Sequence, residues 1–195
     1  QTKNGLQRPV LQLNCGRTIY FTTMTTSVTE KCPRDFINET LIGEIGAIVN
    51  GKEKHDYLSY LLISCGIEFL GKCTAPIKTN WQDHKKNGYY FKKGLALFPN
   101  TYNEPGIPDT LYSGLRCGIC RALLPKNNIM VSSTSSQDFS STPICLNILT
   151  FYEDFKNACE KLLQDAAYQG RLSEPFMAIS NGTTADTINF KTNSI

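Results

Sequence analysis

Residues 111 to 139 read LYSGLRCGICRALLPKNNIMVSSTSSQDF, and the fold expected for the chain depends on how this stretch is read. It holds a Cys-X-X-Cys, Cys117 and Cys120, followed by Pro125, Lys126, Asn127 and Asn128. Those four read as a turn, and the β-prone Ile129-Met130-Val131 comes next, so the local pattern reads as strand, turn, strand. The cysteine pair then has three possible roles: redox site, half of a metal site, or part of a disulfide framework. A zinc site needs four convergent Cys or His ligands. Here there is one such pair, and the only two histidines, His55 and His84, lie far upstream, so no metal is expected.

The redox role is suggested by Cys117-Gly118-Ile119-Cys120-Arg121 with Pro125, which resembles the thioredoxin signature. That chemistry seats the first sulfur at a helix N-terminus to lower its pKa. The turn-and-strand reading of residues 121 to 131 supplies no such helix, so structural cysteines are preferred.

Working outward, 195 residues with 41% apolar and 19% charged content describe an ordinary globular chain able to bury a core. The net charge is only +3. The tightest basic group is Lys85, Lys86, Lys92 and Lys93 around Tyr89, Tyr90 and Phe91. A nucleic-acid footprint would be denser, so no nucleic-acid partner is expected. No apolar run reaches the roughly 18 residues of a membrane span, and no membrane partner is expected either.

The eight cysteines, Cys15, Cys32, Cys65, Cys73, Cys117, Cys120, Cys145 and Cys159, are even in number and spread along the chain, as for up to four bridges in an oxidising compartment. The sequons Asn38-Glu39-Thr40 and Asn181-Gly182-Thr183 point the same way. A secreted, glycosylated monomer carrying sugar on Asn38 and Asn181, mature from Gln1, is the expectation.

Along the chain, residues 9 to 24 have strand composition. Residues 34 to 50 place Phe36, Ile37, Leu41, Ile45, Ile48 and Val49 at near-helical spacing, weakened by Gly43, Gly46 and the following Gly51. Tyr57 to Leu70 suits a helix or a buried strand, which periodicity cannot separate. From Thr150 the spacing of Phe151, Phe155, Ala158 and Leu162 predicts a helix that ends near Gly170. A last strand is expected at 176 to 179, with a loosely held polar tail over 181 to 195. Together these predict one mainly β domain over 1 to 180, a disulfide-stapled barrel with an insertion at 33 to 64 and a C-terminal helix.

The order of elements resembles the secreted double-psi β-barrel proteins: expansins, loosenins, barwin-like proteins and the small endoglucanases of that barrel. The resemblance rests on Gly16-Arg17-Thr18-Ile19-Tyr20, Cys65-Gly66, Leu95-Ala96-Leu97-Phe98, Gly114-Leu115-Arg116-Cys117-Gly118-Ile119-Cys120, Ile129 through Thr134, and the helix from 150 to 164. It implies that Cys117 and Cys120 sit on a barrel strand and pair elsewhere, and that Thr18, Tyr20 and Asp138 face a polysaccharide groove. Hydrolysis in that group uses two carboxylates. Here the segment after Thr18-Ile19-Tyr20 reads Phe21-Thr22 without an acid, and the second position falls on Asp138-Phe139 or on Cys145-Leu146. The implied function is therefore non-hydrolytic binding of cell-wall polysaccharide without a cofactor.

Each residue also has a plainer reading. Tyr20, Phe21, Tyr89, Tyr90, Phe91 and Trp81 form either a platform for sugar rings or ordinary core, and Asp138 suits a turn. A second resemblance, to small guanyl-specific fungal ribonucleases, rests on Leu97-Phe98-Pro99-Asn100-Thr101-Tyr102-Asn103, Tyr112-Ser113-Gly114 and Arg121. Asn100 stands where that family has its His, so the resemblance implies an inactive effector or inhibitor that binds a protein partner.

Overall fold

In a computed structural model the described residues are 10–12, 18–20, 27–53, 55–77, 79–81, 85–122, 124–126 and 128–181, with side chains from Glu30 to Phe176. The chain divides into two compact units, Gln1–Thr29 with Ala178–Ile195, and Glu30–Met177. In the first, Val10–Gln12 (β1) and Thr18–Tyr20 (β2) pair antiparallel with Val10 opposite Tyr20. Strands Ser27–Lys31 (β3) and Met177–Asn181 (β6) form a second two-stranded ribbon.

The Glu30–Met177 unit is helical, which overturns the expected mainly β double-psi barrel. Pro33–Phe36 (α1) begins with Pro in its first turn, where the missing N–H costs nothing. It continues through wide π turns over Ile37–Glu44 into Ile45–Asn50 (α2). Ile37, Leu41, Ile45 and Val49 recur every four residues and are all buried, so the glycines at 43 and 46 did not break the helix. The 33–64 stretch expected as an insertion supplies helices of the core.

Asp56–Cys73 (α3) is the centre of the unit. Tyr60, Ile63, Ile67 and Leu70 are fully buried on one face, and Gly66, Glu68, Lys72 and Cys73 are buried on other sides of the same helix. A helix buried on most of its circumference lies inside a bundle, and α3 packs against both Asn87–Leu95 (α4) and Ile148–Gln164 (α7). On α7, Phe151, Phe155, Ala158 and Leu162 are buried, and Asn147 caps the N-terminus by accepting from the backbone N–H of Leu149 and Thr150. The helix stops at Gln164, and Gly170 falls inside the separate short helix Gln169–Leu172 (α8).

Residues 107 to 122 decide the fold, and they are helical throughout. Ile107–Thr110 (α5) runs through π turns over Leu111–Arg116 into Cys117–Ala122 (α6). Gly106 precedes it at φ 85°, a backbone angle that favours glycine, and Pro108 and Asp109 occupy the first turn. Leu111, Leu115 and Ile119, four apart, are buried to within 1%, and their burial holds the segment as a helix against the bundle. The strand expected around the cysteine pair is absent. The segment after the turn does match the β pattern: Ile129–Ser132 (β4) pairs in parallel with Ile144–Asn147 (β5), Ile129 opposite Ile144. The Tyr60 hydroxyl donates to the Leu146 carbonyl at 2.7 Å and so fastens this ribbon to α3.

Candidate ligand-binding cleft beside the central helix

Two glycines set the geometry on one side of α3. A Cβ on Gly71 would stand 1.7 Å from the Tyr90 carbonyl oxygen, and one on Gly94 would stand 1.9 Å from the Ile67 carbonyl oxygen. Such distances leave no room for any side chain, so α3 and α4 touch backbone to backbone there. The close crossing turns Tyr90 inward, 3% exposed, and leaves Tyr89 outward, 56% exposed, with the two rings edge to face at 5.4 Å.

Beyond Cys73 the chain leaves α3 through Thr74, whose hydroxyl donates to the Gly71 carbonyl, and turns at Pro76 and Thr79. Between this turn and α4 lies a cleft of about 680 Å³. Gly71, Thr74, Ala75, Pro76 and Thr79 form one wall, and Lys86, Tyr89, Tyr90 and Lys93 the other. Lys93 Nζ lies 5.8 Å above the Tyr89 ring. The neighbouring Lys92 turns away to pair with Asp109 at 2.5 Å. Among the described residues the lining holds two cations, two phenol rings and two hydroxyls, with no carboxylate.

The far wall is pinned by Arg171, a residue that sequence reading had not singled out. Its guanidinium donates to the carbonyls of Ile77 at 2.7 Å and Thr79 at 2.8 Å, and lies 3.6 Å over the Trp81 ring. At 2% exposed it is held deep in the unit, and stacking on Trp81 supports the fork that its hydrogen bonds require. Trp81 and Phe91 therefore serve the core, while among the described residues of the expected aromatic platform Tyr89 alone presents a large exposed ring.

A charged cluster lies against the cleft. Glu68, 7% exposed on α3, stands 2.9 Å from Arg116 Nη2 and 3.7 Å from Lys72 Nζ. Lys72 in turn donates to the Trp81 carbonyl at 3.2 Å and lies 5.8 Å from the Tyr90 ring centre, so it touches both the cluster and the cleft wall. A smaller opening of about 210 Å³ is lined by Cys65, Glu68, Phe69, Lys72, Trp81 and Phe176. Burial, and next to it the Cys120 thiol, push the Cys65 thiol well above its ordinary pKa. Tyr112 is raised by burial and by the Cys117 thiol beside it.

The residues expected to bind polysaccharide are placed differently. Thr18 and Tyr20 lie in β2, and their side chains fall outside the described residues. Asp138 closes a turn of its own: its carboxylate accepts from the Ser140 backbone N–H at 2.8 Å and the Ser140 hydroxyl at 2.7 Å, and these bonds lower its pKa. This is the plainer role open to an Asp in a Ser-rich loop. Asn38 lies exposed on the helical 33–50 segment, its amide donating to the Arg34 carbonyl, and Asn181 ends β6. Cys15 lies outside the described residues; the other seven cysteines are unbridged thiols, with Cys73, Cys145 and Cys159 buried. No group of His, Cys, Asp and Glu among the described residues is arranged to hold a metal ion, and no described helix is long and apolar enough to cross a membrane. Comparison with family models, curated proteins and solved structures finds no match to this chain.

Proposed function

We propose that the Glu30–Met177 unit is a non-hydrolytic binding module whose α3–α4 cleft takes a small anionic, ring-bearing ligand, a sugar carrying a carboxylate or phosphate. One observation carries the reading: the cleft of about 680 Å³ sets Lys86 and Lys93 beside the exposed Tyr89 ring with no carboxylate in its lining. Its size suits one or two sugar rings, since ligand pockets run from about 300 to 1,000 Å³. An exposed aromatic face offers the apolar side of a sugar a surface to stack on, and the two threonine hydroxyls offer hydrogen bonds to its rim. Two lysines in a partly closed site favour a negative charge more than they would in bulk water. The function rests on this cleft and not on a barrel groove, because the Cys117–Cys120 segment that such a barrel requires as a strand is helix here and the unit is mainly helical.

Isothermal titration with a uronic-acid oligosaccharide, glucose 6-phosphate and a neutral cello-oligosaccharide tests it. The anionic sugars bind and the neutral one does not; Tyr89→Ala weakens binding about tenfold, and Lys86→Ala or Lys93→Ala weakens it and flattens its salt dependence. Equal affinity for the neutral sugar, or affinity indifferent to all three replacements, would contradict the reading.

A further inference from the structure

The Cys-X-X-Cys pair lies in one helix, and its second sulfur has another neighbour. On α3, Cys65 precedes Glu68 by three residues; on the facing helix, Cys120 follows Arg116 by four. Residues three or four apart share a helix face. The Glu68–Arg116 ion pair, 2.9 Å across, is therefore one rung between two antiparallel helix faces, and Cys65–Cys120 is the next rung. The two thiols do interact directly, and both act on the Arg116 guanidinium between the helices. Both residues are exposed, so a small reagent reaches them, whereas Cys73, Cys145 and Cys159 are buried. Cys117 faces Tyr112 instead.

We propose that Cys65 and Cys120 form a reversible disulfide by exchange with a low-molecular-weight disulfide such as oxidised glutathione, joining α3 to α6 beside the Glu68–Arg116 pair. Exchange proceeds through the thiolate. Partial burial of its sulfur, and next to it the Cys120 thiol, keep the otherwise accessible Cys65 protonated, so Cys120 is assigned the first step. Its thiolate attacks one sulfur of oxidised glutathione, the S–S bond of the reagent breaks, and one glutathione thiolate leaves. Cys65 then gives up its proton and attacks the Cys120 sulfur of the mixed disulfide, releasing the second glutathione. Two cysteine thiols are oxidised, one glutathione disulfide is reduced to two thiols, and the two protons pass to the leaving thiolates. Arg116 supports the second attack, since its charge favours the Cys65 thiolate.

This site is separate from the cleft and its test does not depend on ligand binding. The full native chain, reduced and freed of reductant, is incubated with oxidised glutathione, alkylated and digested with trypsin without reduction. The expected principal product joins the peptide 55–72, which carries Cys65, to the peptide 117–121, and tandem fragmentation places the bond on Cys120. The intact mass falls by two hydrogens. In Cys65→Ser the product becomes a lasting glutathione adduct on Cys120, and in Cys117→Ser the cross-link still forms. A bond between Cys117 and Cys120, stable adducts on both Cys65 and Cys120 of the unaltered chain, or two unmodified thiols would each overturn the proposal.

Discussion

The central helix meets two different neighbourhoods. Toward α7 it is dry and aromatic: Tyr60 stacks on Phe151 at 5.8 Å, Tyr102 continues the stack at 6.0 Å from Phe151, and the Phe155 ring fills the space over Gly66. Toward α4 and α6 it carries Gly71 and Cys65 together with Glu68 and Lys72, charged residues that are seldom buried unless paired. Apolar burial holds the first side. On the second side backbone contact, a buried ion pair and stacked cations hold elements apart as well as together, and the cleft opens there. Core packing and the proposed binding cleft thus lie on different flanks of a single helix.

The contrast can be broken from either flank. Phe155→Ala removes a fully buried ring from the α7 side, and large-to-small core changes of this kind cost about 3–5 kcal/mol; a urea titration should show the midpoint falling with the cleft side unfolding in the same transition. Gly71→Ala places a methyl where the Tyr90 carbonyl stands. Because backbone must move to relieve it, the cost lies near the upper end of overpacking, about 3 kcal/mol. Unlike Phe155→Ala, this change should also weaken ligand binding in the surviving folded protein, since the cleft wall moves with α4.

Glu68→Gln tests the ion pair. Breaking a fully buried pair costs about 3–5 kcal/mol, but Arg116 is 23% exposed, so solvent meets part of the loss and about 2 kcal/mol is expected. The smallest effect is alkaline. Burial raises the pKa of the Cys73 and Cys159 thiols and of the Tyr60 and Tyr102 hydroxyls. The folded chain therefore holds these protons more tightly than the unfolded chain does. Their stabilising contribution is whole below the ordinary thiol value of 9.0 and is lost as pH rises past it. Urea midpoints should stay level up to about pH 8.5 and decline above it, and Cys159→Ala should make the decline shallower.

The two flanks also differ in how legible they were. Helix α7 could be read directly, because Phe151, Phe155, Ala158 and Leu162 sit among charged residues in a clean stripe. Helix α3 left no such stripe, since burial on most of its circumference erases the contrast between faces, and so helix and strand stayed open for it. Residues 107 to 122 misled for a different reason. The glycines and cysteines at 114, 117, 118 and 120 drew the eye to a barrel-strand likeness, while Leu111, Leu115 and Ile119 kept helical spacing behind Pro108 and Asp109. Those three leucine and isoleucine positions were the available signal.

For the site, Tyr89, Tyr90 and the lysines around them were noted in the sequence as a basic group with aromatics, but nothing local placed the 74–79 turn opposite them. That placement needs Gly71, Gly94 and Arg171, which act through contacts 19 to 94 residues apart in the chain. Asp138 illustrates the converse: its fate is set by Ser140 two residues on, and the plain local reading was the right one.

The most direct measurement is the set of ¹³Cα chemical shifts across residues 107 to 122 in the folded chain. An unbroken helix from Ile107 through Ala122 gives shifts downfield of random coil at every assigned position, including Cys117 and Cys120. Upfield, strand-like shifts over 115 to 121 would contradict the helical unit, and with it the facing of Cys120 toward Cys65.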